Sequence, residues 1–370
     1  MTTSPSEVSG PRPARPGRAA VVGTGLIGGS LGLALRARGW HVTGRDADPG
    51  RAGEALAVGA LDAVGSDPAA EITFVATPLG ATVEEVRAVL GQAGFASDAV
   101  VTDVAGVKAP VTSAVEDPRF VGGHPMAGSE QVGLSGADPD LFVGATWVLT
   151  PTDATVPEGF SRLRQVISSL GAEVVALSPE QHDALVAVVS HVPHLTAATL
   201  MNLADRMAVD HAVLLRLAAG GFRDMTRVAA GSPDIWPDVC TENAEAIVST
   251  LDALLADLAA MRDRVVAGDR GALLDVLGRA ASARRSLPSR AVRPERLAEF
   301  RIPVPDRTGV MAEIVTLASN LGLNISDLEI AHSAEGDRGV VILVIDAEAT
   351  ERLQKALEAL GYRSVARQLG

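Results

Sequence analysis

At 370 residues the chain is too long for one ordinary domain and suits two or three, each able to bury its own core. A net charge of −13 lacks the basic footprint that nucleic-acid binding needs, and no run of eighteen residues stays free of charges and breakers, which argues against a membrane span. The single cysteine, Cys240, excludes an internal disulfide framework and a cysteine-based zinc site, and reads as a small buried apolar residue.

Residues 1–17, rich in Ser, Pro and Arg without an apolar stretch, read as a disordered tail rather than a secretory signal, so the expected location is cytoplasmic. Residues 19–23 form an apolar run, and 26–38 carry apolar residues at helical spacing, giving strand, turn and helix. In that context Gly23-x-Gly25-x-x-Gly28 reads as a dinucleotide loop. Gly23 permits the tight turn, Gly25 lets the backbone approach a pyrophosphate, Gly28 allows close helix packing, and the helix N-terminus supplies unpaired N–H groups. A second strand, 41–44, runs into Asp46, 23 residues after Gly23, where a carboxylate would bind a ribose 2′-hydroxyl and repel a 2′-phosphate. That favours NAD, while the flanking Arg45 and Arg51 leave NADP open. Strand signals at 72–76 and 99–102, alternating with helices, imply a doubly wound parallel sheet over 18–176.

Of 32 basic residues only Lys108 and Lys355 are lysines, so Lys108, just after a strand, reads either as a chosen compact ammonium or as chance survival. Gly122-Gly123-His124-Pro125-Met126-Ala127-Gly128-Ser129-Glu130 places a histidine in what reads as a glycine-hinged turn. From 179 to 285 the pattern is helical, and a helix over 241–266 carries Ile247, Leu251, Leu254, Leu255 and Leu258. That stripe is wider than one buried seam needs, so a dimer is expected, the alternative being a helical subdomain packed on its own chain.

Two polar islands interrupt the helices. Ser190-His191-Val192-Pro193-His194 reads for His191 as helix-end capping and a satisfied core histidine, with no carboxylate or cysteine to complete a metal site. Gly220 to Arg227 offers arginine forks suited to a carboxylate, or is a solvated loop with a local Arg–Asp pair. A linker rich in Arg, Ser and Pro, 283–294, closes a helical domain of 177–290. The remainder, 296–370, reads strand (Phe300, Ile302 and Val304 alternating), turn (305–309), helix (310–321), strands (324–331 and 340–345), helix (349–360) and a last strand after Tyr362. This βαββαβ order is a ferredoxin-like unit.

Taken together, the glycine loop, residues 103–108, Gly122 to Gly133, Ser178-Pro179-Glu180-Gln181-His182-Asp183, residues 189–194, Gly220 to Arg227 and Asp234-Ile235-Trp236 resemble the prephenate dehydrogenase family. The resemblance implies an NAD-dependent oxidative decarboxylation of prephenate in tyrosine biosynthesis. It makes His124 the proton acceptor, with His194 also catalytic and contacting the substrate side chain. Arg227 would bind a substrate carboxylate, with Glu130, Ser129 and Trp236 around the pocket. Gly23, Gly25, Leu26, Ile27, Gly28, Asp46, Thr77, Asp103 and Lys108 would surround the cofactor, and no metal is implied. The C-terminal unit resembles an ACT domain, which implies tyrosine as a feedback effector near Gly309 and Asn324. One departure stands out: where the family commonly has Ser, this chain has Gly106, so a water or Ser129 replaces that hydroxyl or His124 is less well held. Arogenate as substrate, a hydroxyacid or imine reductase, and a non-catalytic nucleotide or amino-acid sensor remain as alternatives.

Overall fold

The structure is a computed structural model that describes residues 17–128, 133–208, 213–287, 297–305, 307–332 and 338–368; apart from Gly17, the tail expected over 1–17 lies outside the described residues. The chain forms two compact units, Met1–Arg270 and Gly271–Gly370.

The first unit carries β1 (Arg18–Val22), β2 (His41–Arg45), β3 (Ala63–Val64), β4 (Ile72–Val75), β5 (Val100–Asp103), β6 (Phe120–Pro125), β7 (Thr146–Thr150) and β8 (Glu173–Ala176). They form one sheet in the order β3-β2-β1-β4-β5-β6-β7-β8. Helices α1 (Leu26–Arg36), α2 (Pro49–Ala57), α3 (Leu79–Leu90), α4 (Ala109–Ala114) and α5 (Pro157–Ser169) connect them. The first six strands are mutually parallel, with the chain crossing over at β1 and β4 as in doubly wound folds. The wholly parallel sheet expected from the alternation needs one correction. β6 and β7 are antiparallel, with His124 opposite Val148, before β7 and β8 pair in parallel again. Among its described residues the β6–β7 connection holds only the 3-10 turn Leu134–Gly136, without the crossover helix that a parallel return requires. Val21, Leu31, Leu35, Ile72, Phe74 and Trp147 fill the core, each contributing about 1.5–3 kcal/mol by burial.

The glycine-hinged turn expected around His124 is strand. Gly122 and Gly123 serve close packing there: a Cβ on Gly122 would lie 2.3 Å from Thr150 Oγ1, and one on Gly123 2.7 Å from the Asp103 carbonyl oxygen.

Helices α6 (Pro179–Val186), α7 (Val192–Ala208), α8 (Gly220–Thr226), α9 (Trp236–Glu242) and α10 (Ala244–Ala267) complete the first unit. A π-helical turn, Ala187–His191, joins α6 to α7. A capping box starts α6: Ser178 Oγ accepts from the Gln181 amide at 3.2 Å, and Gln181 Oε1 from the Ser178 amide at 3.3 Å. Contrary to the run-based reading, Pro179–Ala208 is long and apolar enough to cross a membrane, with a mean hydropathy of 1.5; this rests on length and composition alone. The segment also bonds through His182 and Asp183 to residues of the sheet domain.

The continuous helix expected over 241–266 breaks at Asn243, whose side chain turns inward and donates to the Asp183 carbonyl at 2.9 Å. The polar island at 220–227 is helix α8 and the start of a 3-10 turn, Arg227–Ala230, rather than a loop. Cys240 is half-buried against the cluster of Ala187, Val192 and Ile247. Along α10 the apolar stripe divides: Ile247 is buried, whereas Leu255 and Leu258 are 60% and 53% exposed.

Helix α11 (Arg270–Arg285) extends into the first residues of the stretch expected as linker. Beyond it lie β9 (Leu297–Pro305), α12 (Val310–Asn320), β10 (Ile325–His332), β11 (Arg338–Asp346), α13 (Thr350–Ala359) and β12 (Val365–Gln368). The sheet order β10-β11-β9-β12, antiparallel throughout, is the ferredoxin-like arrangement expected from the sequence. Phe300, Ile302, Ile314, Leu343, Leu353 and Leu357 form its core.

Candidate active site

The glycine loop leaves β1 and turns into α1. Gly23 has φ +91°, and a Cβ on it would lie 2.4 Å from the Ala76 carbonyl oxygen; one on Gly28 would lie 1.8 Å from the carbonyl of Gly23 itself. A Cβ on Gly25, by contrast, would meet nothing within 4 Å, and no side chain caps α1 there. The amides of Leu26 and Ile27 therefore head an open space suited to an anion. Thr77, two residues beyond β4, borders the loop: its amide lies 3.2 Å from the position of a Cβ on Gly23.

Asp46 closes β2 and accepts from the Thr24 amide at 2.7 Å, the Thr24 hydroxyl at 3.1 Å and the Asp48 amide at 3.0 Å. Burial alone would raise its carboxyl, but these donors outweigh burial and hold it below the ordinary value. Arg45 is engaged by Glu85, and the exposed Arg51 pairs with Asp48 at 3.8 Å.

Two of the expected cofactor residues are used differently. Asp103 and Lys108 are both fully buried and ion-paired to each other. Asp103 accepts from the amides of Gly123 at 3.1 Å and Ala105 at 3.0 Å, while Lys108 Nζ donates to the Gly123 carbonyl at 2.9 Å. Their side chains brace β5 against β6 and have no surface left for a ligand. Burial lowers the Lys108 ammonium, and Asp103 opposes that shift.

His124 stands next to that brace near the C-terminal end of β6. Its Nδ1 lies 2.8 Å from His182 Nε2, and His182 Nδ1 lies 2.7 Å from Asp183 Oδ1. The Asp183 oxygens accept from the Lys108 amide at 2.7 Å and the Ala109 amide at 2.8 Å. His182 is completely buried and Asp183 nearly so, whereas His124 is half-buried. Burial pushes His124 well below the ordinary histidine range, and His182, Lys108 and His191 push the same way. A Cβ on Gly106 would lie 3.7 Å from His124 Cε1 and 3.8 Å from Nε2, so the free edge of the ring faces the hollow left by that glycine.

A second cluster follows on the helical side. His194 stacks on Trp236 with ring centroids 3.6 Å apart at 12°, and His191 meets the same indole edge-on at 6.2 Å. Burial lowers His194, and it lowers His191 to about 4. As expected, His191 is a satisfied core histidine, its Nδ1 lying 3.1 Å from Asn243 Nδ2. Because Asn243 also binds the Asp183 carbonyl, His194, Trp236 and His191 connect through it to His182 and His124. Arg227 is exposed and opens a 3-10 turn packed on α7, the helix that carries His194. Ser129 and Glu130 lie outside the described residues.

His182, Asp183 and Asn243 were not singled out from the sequence as site residues. The available signal was the capping box that opens α6, which places an adjacent His–Asp pair directly after its N3 residue Gln181. Among the described residues no group of three metal-ligating side chains comes together. In the second unit, Gly309 has φ +90° at the start of α12, and Asn324 is exposed just before β10. Close to Gly309 in the chain, Arg307 donates to Tyr362 Oη at 3.2 Å, and that hydroxyl donates to Glu313 at 2.9 Å.

Residues 31–176 match a family profile described as prephenate dehydrogenase, nucleotide-binding domain, and residues 178–279 one described as prephenate dehydrogenase, dimerization domain. The prephenate dehydrogenase of Bacillus subtilis (strain 168) is 30% identical over 353 residues, which cover 92% of this chain and 95% of the relative. Prephenate dehydrogenase from A. aeolicus, solved in complex with hydroxyphenyl propionate and NAD+, is similar with a TM-score of 0.68 at 28% identity, covering 74% of this chain and 99% of its own. Synechocystis arogenate dehydrogenase has a TM-score of 0.63 at 32% identity, covering 72% and 98%. With these similarities added to a glycine loop and a histidine site on one sheet, the chain belongs to the prephenate dehydrogenase family.

Proposed function

We propose that this chain oxidatively decarboxylates prephenate to 4-hydroxyphenylpyruvate. The observation that supports it most is His124: an imidazole that burial keeps neutral, its Nδ1 engaged and its Nε2 edge facing Gly106, on the same sheet as the glycine loop. NAD bound at that loop supplies a hydride acceptor for the ring carbon that bears the 4-hydroxyl. His124 Nε2 takes the hydroxyl proton as the carbonyl develops, and departure of the carboxylate as CO2 leaves the ring aromatic. His194, flattened against Trp236, positions the substrate side chain, and Arg227 binds a substrate carboxylate by charge-assisted hydrogen bonds.

NAD is favoured over NADP because the Asp46 carboxyl is held in its charged form at the ribose position, and Arg45 is already neutralised by Glu85. The 18–176 segment then serves the cofactor, 177–290 serves substrate and dimer contacts, and 296–370 serves control. The alignment with the Bacillus relative spans 92% of the chain and so reaches into the C-terminal unit. We assign that unit as an ACT domain taking tyrosine near Gly309 and Asn324.

Steady-state rates with prephenate and arogenate, each with NAD and NADP, test the proposal. Prephenate with NAD is expected to give the highest kcat/KM. His124→Asn is expected to lose on the order of 10²–10⁴-fold in kcat while keeping its affinity for NAD. A wild-type protein inactive on both substrates would sink the reading. The similarity to an arogenate dehydrogenase favours one second reading, and a higher kcat/KM with arogenate would establish it.

A further inference from the structure

We propose that His182 and Asp183 are positioning residues that fix the tautomer of His124, so that the lone pair it offers is on Nε2. This rests on His124 being the proton acceptor and deepens that reading. Each proton in the chain is dictated by its neighbour. Both Asp183 oxygens already accept from backbone amides, of Lys108 and Ala109, and a carboxylate oxygen facing a ring nitrogen at 2.7 Å accepts again, so His182 carries its proton on Nδ1. In the proposed arrangement that is the only proton on His182, which leaves its Nε2 bare. That atom can only accept, and the group it faces at 2.8 Å is His124 Nδ1, which must therefore hold the proton of His124. The remaining nitrogen, Nε2, is left as a lone pair beside the hollow at Gly106.

The opposite assignment reverses the chemistry without moving an atom. With its proton on Nε2, His182 would donate to His124 Nδ1, and His124 Nε2–H would present a donor to a substrate hydroxyl that needs an acceptor. Complete burial of His182 removes water as an alternative partner, so the choice rests with Asp183. When the substrate O–H bond breaks, its proton goes to Nε2 and the electron pair stays on oxygen to form the carbonyl. His124 becomes an imidazolium that still donates Nδ1–H to His182. Asp183 takes no proton; it steadies the charge through His182, the role an aspartate plays behind a catalytic histidine in hydrolytic triads. The groups facing this chain are Lys108, with its partner Asp103, and His191 behind Asn243.

The test combines kinetics with ¹⁵N NMR of the imidazoles in the full-length protein. In the wild type near pH 7.5, His124 is expected to show a protonated Nδ1 and a bare Nε2. Asp183→Asn supplies an amide that can donate to His182 Nδ1 and so inverts both tautomers; kcat is expected to fall about 10²–10⁴-fold, with KM for prephenate and NAD affinity changed less than about threefold. His182→Gln, whose amide oxygen can still accept from His124 Nδ1, is expected to retain more than a tenth of wild-type kcat. A wild-type spectrum with the His124 proton on Nε2 overturns the proposal even if Asp183→Asn does not fold. So does a folded Asp183→Asn with wild-type kcat while His124→Asn is inactive. If His124→Asn is itself fully active, the failure lies instead with the assignment of His124 as acceptor.

Discussion

Burial, rather than any single charge, lowers His124, His191 and His194. The folded value of His191, about 4, lies below the roughly 6.5 of an unfolded histidine. Above about pH 6.5 the ring is neutral in both states and its contribution to stability is complete. As pH falls from there the unfolded chain takes up a proton that the folded one refuses, and stability declines by about 1.4 kcal/mol per pH unit until the folded ring titrates near 4. Urea unfolding between pH 7.5 and 4.5 should show this decline, and His191→Asn should make it shallower; an unchanged slope would remove His191 from the account. The shift of His124 has the same sign, so the acid limb of kcat/KM is expected below pH 6.5 rather than at it. At this scale the sequence was legible wherever one residue carries its own signal. Gly23, Gly28 and Asp46 sit where their spacing placed them. Lys108 was not readable, because a lysine that binds a ligand and one that braces two strands look alike until Asp103 and the Gly123 carbonyl are seen around it.

Elements were legible where period and punctuation agree, and not where a partner from elsewhere decides. Alternation of apolar runs announced the doubly wound sheet and the βαββαβ unit, but period-2 patterning is the same in parallel and antiparallel strands, so the reversal at β6–β7 was hidden. The break at Asn243 was hidden for a related reason: only the Asp183 carbonyl, 60 residues earlier, draws that side chain inward. The pair formed by His182 and His124, 58 residues apart, likewise exists only once α6 lies against β6. The stripe along α10 was too wide for one seam, and Val248, Leu255 and Leu258 remain exposed once Ile247 is buried. With residues 178–279 matching a dimerization domain, that face is expected to meet a second copy. Leu255→Glu combined with Leu258→Glu should shift the mass measured by light scattering from dimer toward monomer; an unaltered dimer would place the interface elsewhere.

As a whole, the molecule joins a family dehydrogenase to a small ferredoxin-like unit with its own core, and the proposed control by tyrosine belongs to this scale. Tyrosine is expected to inhibit the wild type, and Asn324→Ala is expected to weaken that inhibition about tenfold or more without altering kcat in its absence. Equal inhibition of both proteins would exclude Asn324 from the effector site, and no inhibition of the wild type would remove tyrosine as the effector. The link from the Lys108 and Ala109 amides through Asp183 to His182 and His124 has one more consequence, which concerns time rather than geometry. Translation delivers the glycine loop and His124 well before Asp183 leaves the ribosome, and nascent domains fold roughly in that order. Until α6 arrives, the imidazole lacks its partner His182. If His124 is the proton acceptor proposed above, a chain released before α6 would hold it idle, and activity would begin only once His182 and Asp183 had docked.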